Sequence, residues 1–261
     1  MEKFIYKLTT LSSLIVSPRA SKAFYLELEG FSLQDIRDGN QQRNNGQTLL
    51  EKEKLKVIYP FYQYGEYTKY APKSAVYYLP GSSIKGALLQ GESAPGGFMA
   101  DDIPVPNDGI VLRNIHKAQY LNEQGNGACF GPFFENVGVE MIKDEVELTG
   151  EFYIKDRGSA EALIQMANES TKVKLNQMLT YLRELRTRNY VADDLNTGLD
   201  KAGHRLSDLL NDKNILLLGG YKGLLHSMQI KDPQQELAGA VFLDPKTTLP
   251  HGLAKIEVLS V

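Results

Sequence analysis

The stretch YYLPGSSIKGALLQG, residues 77–91, joins a short extended segment to a helix. Pro80 closes the strand side and a Gly-Ser-Ser run follows where an N-cap is expected, so the spacing predicts a helix over 82–90. The first turn of such a helix exposes N–H groups with a partial positive charge, and Lys85 adds a full charge one turn in. These features favour a phosphate-binding site at the start of the helix. The alternative is an ordinary capped surface helix.

Neither of the two glycine-rich segments has the register of a nucleotide-binding loop. A P-loop places lysine directly after its second glycine, whereas here Lys85 precedes Gly86. The second segment, GGYKG at residues 219–223, also fails this pattern and lacks the spacing of a dinucleotide fingerprint. The sequence therefore argues against an enzyme that hydrolyses nucleoside triphosphates.

The composition is that of an ordinary globular protein, with 261 residues, 42% of them hydrophobic and 23% charged. The net charge of −3 argues against a surface that is basic throughout, but it leaves room for a local basic track. The single cysteine, Cys129, excludes a disulfide framework and a cysteine zinc site and fits a cytoplasmic location. No apolar run approaches the roughly 18 residues that cross a bilayer, and the alternating N-terminus predicts a strand rather than a signal peptide.

Apolar residues recur with both strand and helix periodicity along the chain. Strands are expected at 3–16, 24–29, 109–116, 133–142, 145–154 and the start of 214–225, with two more inside 239–259. The strand at 24–29 is expected to pair with the strand at 3–16. Helices are expected at 82–90, 159–190 and 201–211. Two segments poor in core-forming residues predict irregular insertions, at 32–56 and 92–108.

This order of elements predicts an α+β fold with a largely antiparallel sheet and helices packed on one face. A ferredoxin-like βαββαβ core runs through the first strand, the helix at 82–90, the two middle strands, the long helix and a late strand. The chain is expected to form a single domain over 1–261, with two ferredoxin-like halves as the alternative.

Two further patterns each have a functional and a structural interpretation. Seven of the 14 tyrosines lie within residues 59–78, where they can stack on bases or simply pack on the core. The second half of the long helix is basic, which fits either a nucleic-acid track or an ordinary charged helix face. Its cationic residues are Lys172, Lys174, Arg183, Arg186 and Arg188.

The segment LPGSSIKGALL resembles the I-P-G-S-S-hydrophobic-K-G-hydrophobic-hydrophobic motif of the RAMP superfamily, the backbone and capping subunits of CRISPR effector complexes. Residues 133–154 are similar to the middle segment of that family, where a glutamate precedes an apolar residue. Residues 215–228 are similar to its C-terminal glycine-rich loop. The family's glycine-rich turn after the first strand is absent here, and Leu88, Leu89 and Gln90 stand where it often has arginine.

The resemblance implies a fold of RNA-recognition type and binding of a guide RNA backbone without reading its sequence. It is closest to the type III-A (Csm) subunit that caps the 3′ end of the guide and supports guide maturation and antiviral defence. Implied partners are the guide RNA, other Csm-type subunits and host nucleases, with no membrane and no cofactor. The implied RNA-binding residues are Gly81, Ser82, Ser83, Lys85, Gly86, Arg183, Arg186, Arg188, Gly219, Gly220, Lys222 and Gly223.

The same superfamily also suggests three alternatives, of which two are catalytic. A backbone subunit would cut target RNA with a metal ion such as Mg²⁺, for which Asp35 and Asp38 are the candidate ligands. A guide-processing ribonuclease needs a histidine as acid or base, and His226 is the best placed of four histidines. The pair Asp101-Asp102 is a similar metal candidate. The other alternative is a protein scaffold of the same complex.

Overall fold

The computed structural model describes residues 1–16, 22–25, 55–91, 93–94, 96–120, 128–133, 136–187, 193–219 and 240–260. Its longer strands are β1 (Glu2–Thr10), β10 (Val137–Ile142), β11 (Glu147–Ile154) and β14 (Leu253–Ser260). The shorter strands are β2 (Phe24–Tyr25), β3 (Val57–Tyr59), β4 (Tyr77–Leu79), β5 (Met99–Ala100), β6 (Ile103–Val105), β7 (Ile110–Arg113), β8 (His116–Tyr120), β9 (Ala128–Pro132), β12 (Ile215–Leu217) and β13 (Ala240–Leu243). The helices are α1 (Gly81–Leu89), α2 (Arg157–Arg186) and α3 (Asp193–Leu209).

A five-stranded sheet in the order β12-β14-β1-β11-β5 forms the centre of the described structure, and all its neighbouring strands are antiparallel. Its strands alternate because one face is buried: Phe4, Tyr6 and Leu8 point inward while the residues between them are partly exposed. Gly150 pairs with Tyr6, and a Cβ at Gly150 would lie 2.6 Å from the tyrosine ring. The glycine therefore leaves room for a large aromatic side chain in the core.

The helices α1 and α2 cover the buried face of this sheet. Ile84 and Leu88 of α1 and Leu163 of α2 join the sheet residues in one hydrophobic cluster. The α2 N-terminus is capped by Asp156, whose carboxylate accepts a hydrogen bond from the Ser159 N–H at 2.8 Å. Apolar spacing of period 3.6 thus places both helices on the same layer of the structure.

A second hydrophobic cluster forms around the C-terminal half of α2. Leu175 and Leu182 of α2 pack with Leu206 of α3, Leu217 of β12 and Val241 of β13. Three smaller sheets surround the centre, in the orders β2-β3-β10-β7, β13-β8-β9 and β4-β6. The long helix therefore bridges the two clusters, with one half on the sheet and the other half against α3.

Most of the predicted elements are confirmed. The helix expected at 82–90 runs over 81–89, the long helix over 157–186, and the strand with the clearest alternation over 147–154. Two strands also occur within 239–259, and the fold is a mixed α+β fold with largely antiparallel sheets.

Several boundaries and pairings were wrong. The first strand ends at Thr10 rather than residue 16, and the helix expected at 201–211 begins eight residues earlier, at Asp193. Residues 92–108 are not wholly irregular, because β5 and β6 lie there. The strand at 109–116 is two strands, β7 and β8, in different sheets.

Two pairings differ from expectation because they depend on contacts distant in sequence. The described part of the second predicted strand, β2, pairs with β3, whereas pairing with β1 was expected. β10 lies in the four-stranded sheet, so β5 rather than β10 neighbours β11 in the central sheet. Residues 26–54 lie outside the described residues. No described helix is long and apolar enough to span a membrane.

Candidate nucleic-acid interface

The N-terminus of α1 is capped by a residue that is distant in sequence. Pro80 occupies the N-cap position with extended backbone angles, so the expectation that a Gly-Ser-Ser residue would cap the helix was wrong. The Gly81 N–H instead donates to the Asp102 carboxylate at 2.8 Å. This carboxylate provides the negative charge that the first turn lacks in sequence. One of the amides expected to face a phosphate is therefore already hydrogen-bonded within the chain.

The two glycines of the motif have different structural roles. A Cβ at Gly81 would lie 2.1 Å from the Ala100 carbonyl oxygen, so only glycine allows α1 to start against β5. A Cβ at Gly86 would have no neighbouring atom of the described residues within 4 Å. Packing inside the chain therefore explains Gly81 but not Gly86, which weakens an exposed helix by about 1 kcal/mol relative to alanine.

One side of α1 is open to solvent. Ser82, Lys85 and Gly86 are exposed and lie at helical spacing of three and four residues, and Gln90 continues the line. We call these four residues the α1 stripe. Lys85 forms no ion pair with any residue in the described ranges. The motif thus presents a small surface with a cation that other parts of the described chain do not neutralise.

A second cation lies at the far end of the α1 stripe. The Lys174 ammonium of α2 donates to the Gln90 side-chain oxygen, and the Ser170 hydroxyl donates to the same atom at 3.4 Å. Lys174 is only 8% exposed, and its burial lowers its pKa below the usual value. Grouping Lys174 with an exposed basic face was therefore wrong. Leu88 and Leu89 are buried, so no cation from α1 occupies that end.

The arginines expected to extend the site lie elsewhere on α2. Arg183 is exposed, and Arg186 pairs with Asp200 of α3. Arg183 is nine residues beyond Lys174, about 13 Å along the helix axis. The structure does not bring these side chains into contact with α1, and Arg188 lies outside the described residues.

The second glycine-rich segment is described only at its first residue. Gly219 has a φ of +84°, and a Cβ there would lie 2.3 Å from the Ile15 carbonyl oxygen. The requirement for glycine at position 219 is therefore explained by close packing against the chain segment that follows β1. The remaining candidate residues of this segment lie outside the described residues: Gly220, Lys222, Gly223 and His226.

The candidate metal ligands are not brought together in the described part of the chain. No group of three or more His, Cys, Asp or Glu residues there could hold a metal ion. Asp102 caps α1, and Asp101 accepts a hydrogen bond from the Tyr153 hydroxyl at 3.4 Å. Asp35 and Asp38 lie outside the described residues, so the metal-dependent alternative stays a prediction.

The solvent-facing side of the central sheet carries charges of both signs. Its lysines each contact a glutamate on a neighbouring strand or on the same strand, which leaves little net charge. The pairs are Lys3–Glu151 at 2.7 Å, Lys7–Glu147 at 3.2 Å, Lys7–Glu257 at 3.5 Å and Lys255–Glu257 at 3.1 Å. Compared with this face, the α1 stripe is the better candidate for contacting a polyanion.

The tyrosine-rich segment has two faces. Phe61, Tyr77 and Leu79 are buried, and the Glu140 carboxylate beneath them accepts hydrogen bonds from the Phe61 N–H at 3.0 Å and the Tyr77 hydroxyl at 2.8 Å. A third bond comes from the Tyr70 hydroxyl at 3.2 Å. For these residues the core-packing interpretation is confirmed. Glu140 was not singled out in the sequence, because no local pattern marks it as the anchor of these residues.

The outer face of the same segment is also aromatic. We call Tyr62, Tyr64, Val76 and Tyr78 the tyrosine face. Tyr64 stacks on Tyr78 with ring centroids 4.2 Å apart, and Tyr62 meets Tyr78 edge-on at 5.7 Å. The Tyr64 hydroxyl donates to Asp102 at 3.5 Å, so the tyrosine face adjoins the start of α1.

A serine, a histidine and an aspartate also meet inside the protein, but they do not form a catalytic site. The Ser13 hydroxyl lies 2.7 Å from His251 Nδ1, and the Ser13 N–H donates to Asp244 at 3.0 Å. All three residues are 0% exposed, so no substrate reaches them. Asp244 also pairs with Arg113 at 3.5 Å. The cluster ties the end of β1 to the turn before β14.

The buried His251 makes stability depend on pH. Its burial lowers its pKa from 6.5 to about 4. Between pH 6.5 and about pH 4, His251 is therefore protonated in the unfolded chain but stays neutral in the folded chain. The free energy of unfolding is highest above pH 6.5 and decreases as the pH falls toward 4. We expect a loss of about 3 kcal/mol over this window, measured by urea unfolding at a series of pH values.

Two asparagine variants isolate this effect. His251→Asn should lower stability at neutral pH and flatten the pH dependence between 6.5 and 4. His204→Asn changes an exposed histidine of α3 and should keep the slope of the native chain. An unchanged slope in His251→Asn would show that another group governs the acid sensitivity.

No protein-family profile and no curated protein matches this chain. Its structure is similar to a chain in the cryo-EM structure of a Csm-crRNA-target RNA ternary complex of a type III-A CRISPR-Cas system. The superposition has a TM-score of 0.50 at 12% sequence identity and covers 98% of this chain and 100% of the other. At this identity the likeness shows that the two chains share a fold.

Proposed function

We propose that this protein is a non-catalytic subunit of a type III-A CRISPR ribonucleoprotein that binds the backbone of the guide RNA near its 3′ end. The observation that carries the proposal is the α1 stripe, where Lys85 and Gly86 are exposed without a role in packing the described chain. A fold shared with a chain from a complex that contains crRNA and target RNA supports it. Its partners would be the guide RNA and other Csm-type subunits.

The strand order supports a ferredoxin-like core for this subunit. Following the chain through β1, α1, β5, β11, α2 and β14 gives a βαββαβ order. In the central sheet these strands lie in the order β14-β1-β11-β5, with β12 added at the outer edge. Each helix then connects two parallel strands with an antiparallel strand between them, which is the split βαβ arrangement.

The α1 stripe suits a phosphate backbone rather than a base edge. The Lys85 ammonium offers a point charge on a flexible stem, and Gly86 offers helix backbone without a side chain in the way. Lys174 adds positive charge at the Gln90 end. Contacts of this kind position an RNA but carry no sequence information, as a subunit that serves many guides requires.

Replacing Lys85 by alanine tests the phosphate contact. We expect the affinity for single-stranded RNA to fall about tenfold for every sequence tested, because one charge-assisted contact is lost. The slope of log affinity against log salt concentration should fall by about 1. Fluorescence anisotropy with 5′-labelled RNA of two unrelated sequences measures both quantities.

The matched control is Lys201→Ala, which removes an exposed lysine of α3. It should leave both the affinity and the salt slope close to those of the native chain. Equal RNA affinities for the native chain and Lys85→Ala would count against the α1 stripe as the RNA contact.

The subunit role is tested by co-expressing a tagged copy with its genomic neighbours and a repeat array, then sequencing the RNA that co-purifies. We expect guide RNA of defined length, with altered 3′ ends when this subunit is deleted. A preparation that contains neither RNA nor partner subunits would overturn the proposed function.

A further inference from the structure

The tyrosine face is an exposed aromatic surface whose position is held from two sides. Hydrogen bonds between backbone groups join Tyr64 N–H to the Val76 carbonyl at 3.0 Å and Tyr78 N–H to the Tyr62 carbonyl at 3.1 Å. Because side chains alternate along such a ladder, these four residues share one side. Glu140 anchors the opposite side, so the rings are presented on a fixed backbone.

A second clamp holds the loop between the two arms of this ladder. The Asn107 side-chain amide donates to the carbonyls of Pro72 at 3.2 Å, Lys73 at 3.3 Å and Ala75 at 3.0 Å. The two N–H groups of this amide are shared among the three carbonyls and fix the path of the loop that leads into Val76. Because this surface is already ordered, binding a flat ligand to it costs little conformational entropy.

The tyrosine face also exposes more apolar area than a solvated strand usually does. Tyr64 is 54% exposed and Val76 is 60% exposed, in positions where polar side chains are the norm. Tyr64 stacks on Tyr78 through one side of its ring, and no other ring within the described ranges stacks on it, so the other side can receive a further planar group. Exposed stacked rings of this kind are what single-stranded nucleic acids use for base stacking.

The charge of the surrounding segment favours RNA as the occupant. Residues 55–91 carry four lysines and one glutamate in a chain whose overall net charge is −3. The Asp102 carboxylate beside Tyr64 accepts hydrogen bonds from the Gly81 N–H and the Tyr64 hydroxyl. Asp102 thereby connects the tyrosine face to the start of α1 at Gly81, one residue before the α1 stripe begins at Ser82.

We propose that an unpaired base of the bound RNA stacks on Tyr64 and extends the Tyr64–Tyr78 pair. This inference rests on the proposed function, because the α1 stripe would hold the backbone that delivers the base. Stacking on a π-face tolerates any base, so the contact adds affinity without adding sequence preference.

The test measures binding of a 5′-labelled single-stranded RNA 20-mer of mixed sequence to the full chain by fluorescence anisotropy. The double variant Tyr64→Ala with Tyr78→Ala should weaken binding by about 5- to 150-fold, the range for one base–aromatic stack. The salt slope should stay unchanged, because no phosphate contact is lost. The double phenylalanine variant keeps both π-faces and should bind like the native chain.

Two controls separate stacking from loss of structure. The double leucine variant at Tyr64 and Tyr78 keeps apolar packing but removes the π-faces, and it should bind as weakly as the alanine variant while keeping the native melting temperature. Tyr25→Ala changes an exposed tyrosine of β2 outside the tyrosine face and should leave binding unchanged. A fully abasic RNA backbone of the same length should bind the native chain more weakly than the 20-mer does, whereas the leucine variant should bind the two equally.

The outcomes distinguish this inference from the proposed function. If Lys85→Ala weakens binding and the leucine variant does not, the stacking inference is overturned and the proposed function stands. If the leucine variant keeps RNA affinity but loses partner subunits on co-purification, the tyrosine face is a protein interface and the inference is overturned. If the native chain and its assembled complex bind no RNA, both are overturned.

Discussion

Replacing Gly81 by alanine should lower the free energy of unfolding by about 3 kcal/mol. The new Cβ would lie 2.1 Å from the Ala100 carbonyl oxygen and 2.7 Å from the Ala100 carbonyl carbon. These are backbone atoms of β5, which pairs with β11 at Phe152 and cannot retreat without opening the sheet edge. The start of α1 must move instead, and the Gly81 N–H then loses the Asp102 carboxylate.

Urea unfolding followed by circular dichroism measures this loss, and thermal melting should show a midpoint about 6–12 °C lower. Gly86→Ala is the matched control, because it makes the same change five residues later in the same helix. No neighbouring atom in the described part of the chain lies within 4 Å of its new Cβ, so we expect the free energy of unfolding to rise by about 0.5–1 kcal/mol. A Gly81→Ala variant as stable as the native chain would disprove the steric role of this glycine.

The same pair of variants bears on function. Gly86→Ala adds a methyl group to the exposed α1 stripe, so under the proposed function it should raise stability while weakening RNA binding. Opposite effects on the two quantities would show that this glycine serves a ligand rather than the fold. A rise in stability with native RNA affinity would instead mean that RNA does not approach the helix at Gly86.

Replacing Glu140 by alanine should lower the free energy of unfolding by about 3–5 kcal/mol, the largest loss that we expect from one substitution. Glu140 is 1% exposed and accepts hydrogen bonds from the Phe61 N–H and from the Tyr70 and Tyr77 hydroxyls. Its removal leaves these donors buried without that acceptor and also leaves a cavity. The tyrosine-rich segment would lose the anchor that joins it to β10.

Chemical unfolding measures the loss, and near-ultraviolet circular dichroism reports the tyrosine environment because the chain has no tryptophan. Glu140→Gln should show a smaller loss, since an amide oxygen still accepts from the two hydroxyls while the Phe61 N–H faces a donor in place of an acceptor. Glu147→Ala removes an exposed ion-pair carboxylate on β11 and should change stability by less than about 1 kcal/mol. Similar losses for Glu140→Ala and Glu147→Ala would contradict the anchoring role.

Local periodicity was enough to predict the elements that are long and regular. β11 alternates buried and exposed residues along its length, and α2 repeats apolar residues at helical spacing over 30 residues. Both patterns arise within a few residues, so a single segment contains the whole signal. Short strands such as β5 and β6 have too few residues to show an alternating pattern. They form because they pair with strands that are distant in sequence.

The same distinction holds for the candidate site. The sequence by itself predicted a helix at 82–90, one residue later than the observed 81–89, and placed Lys85 one turn into it, because these features follow from neighbours within two turns. Only the tertiary structure decided that Asp102 caps that helix, that Lys174 is buried at its far end, and that Glu140 lies beneath the tyrosines. The hydrogen-bond partners of these polar groups lie 21 to 84 residues away in the sequence. Buried polar groups need hydrogen-bond partners, but the local spacing of residues does not specify which distant donor or acceptor will be the partner.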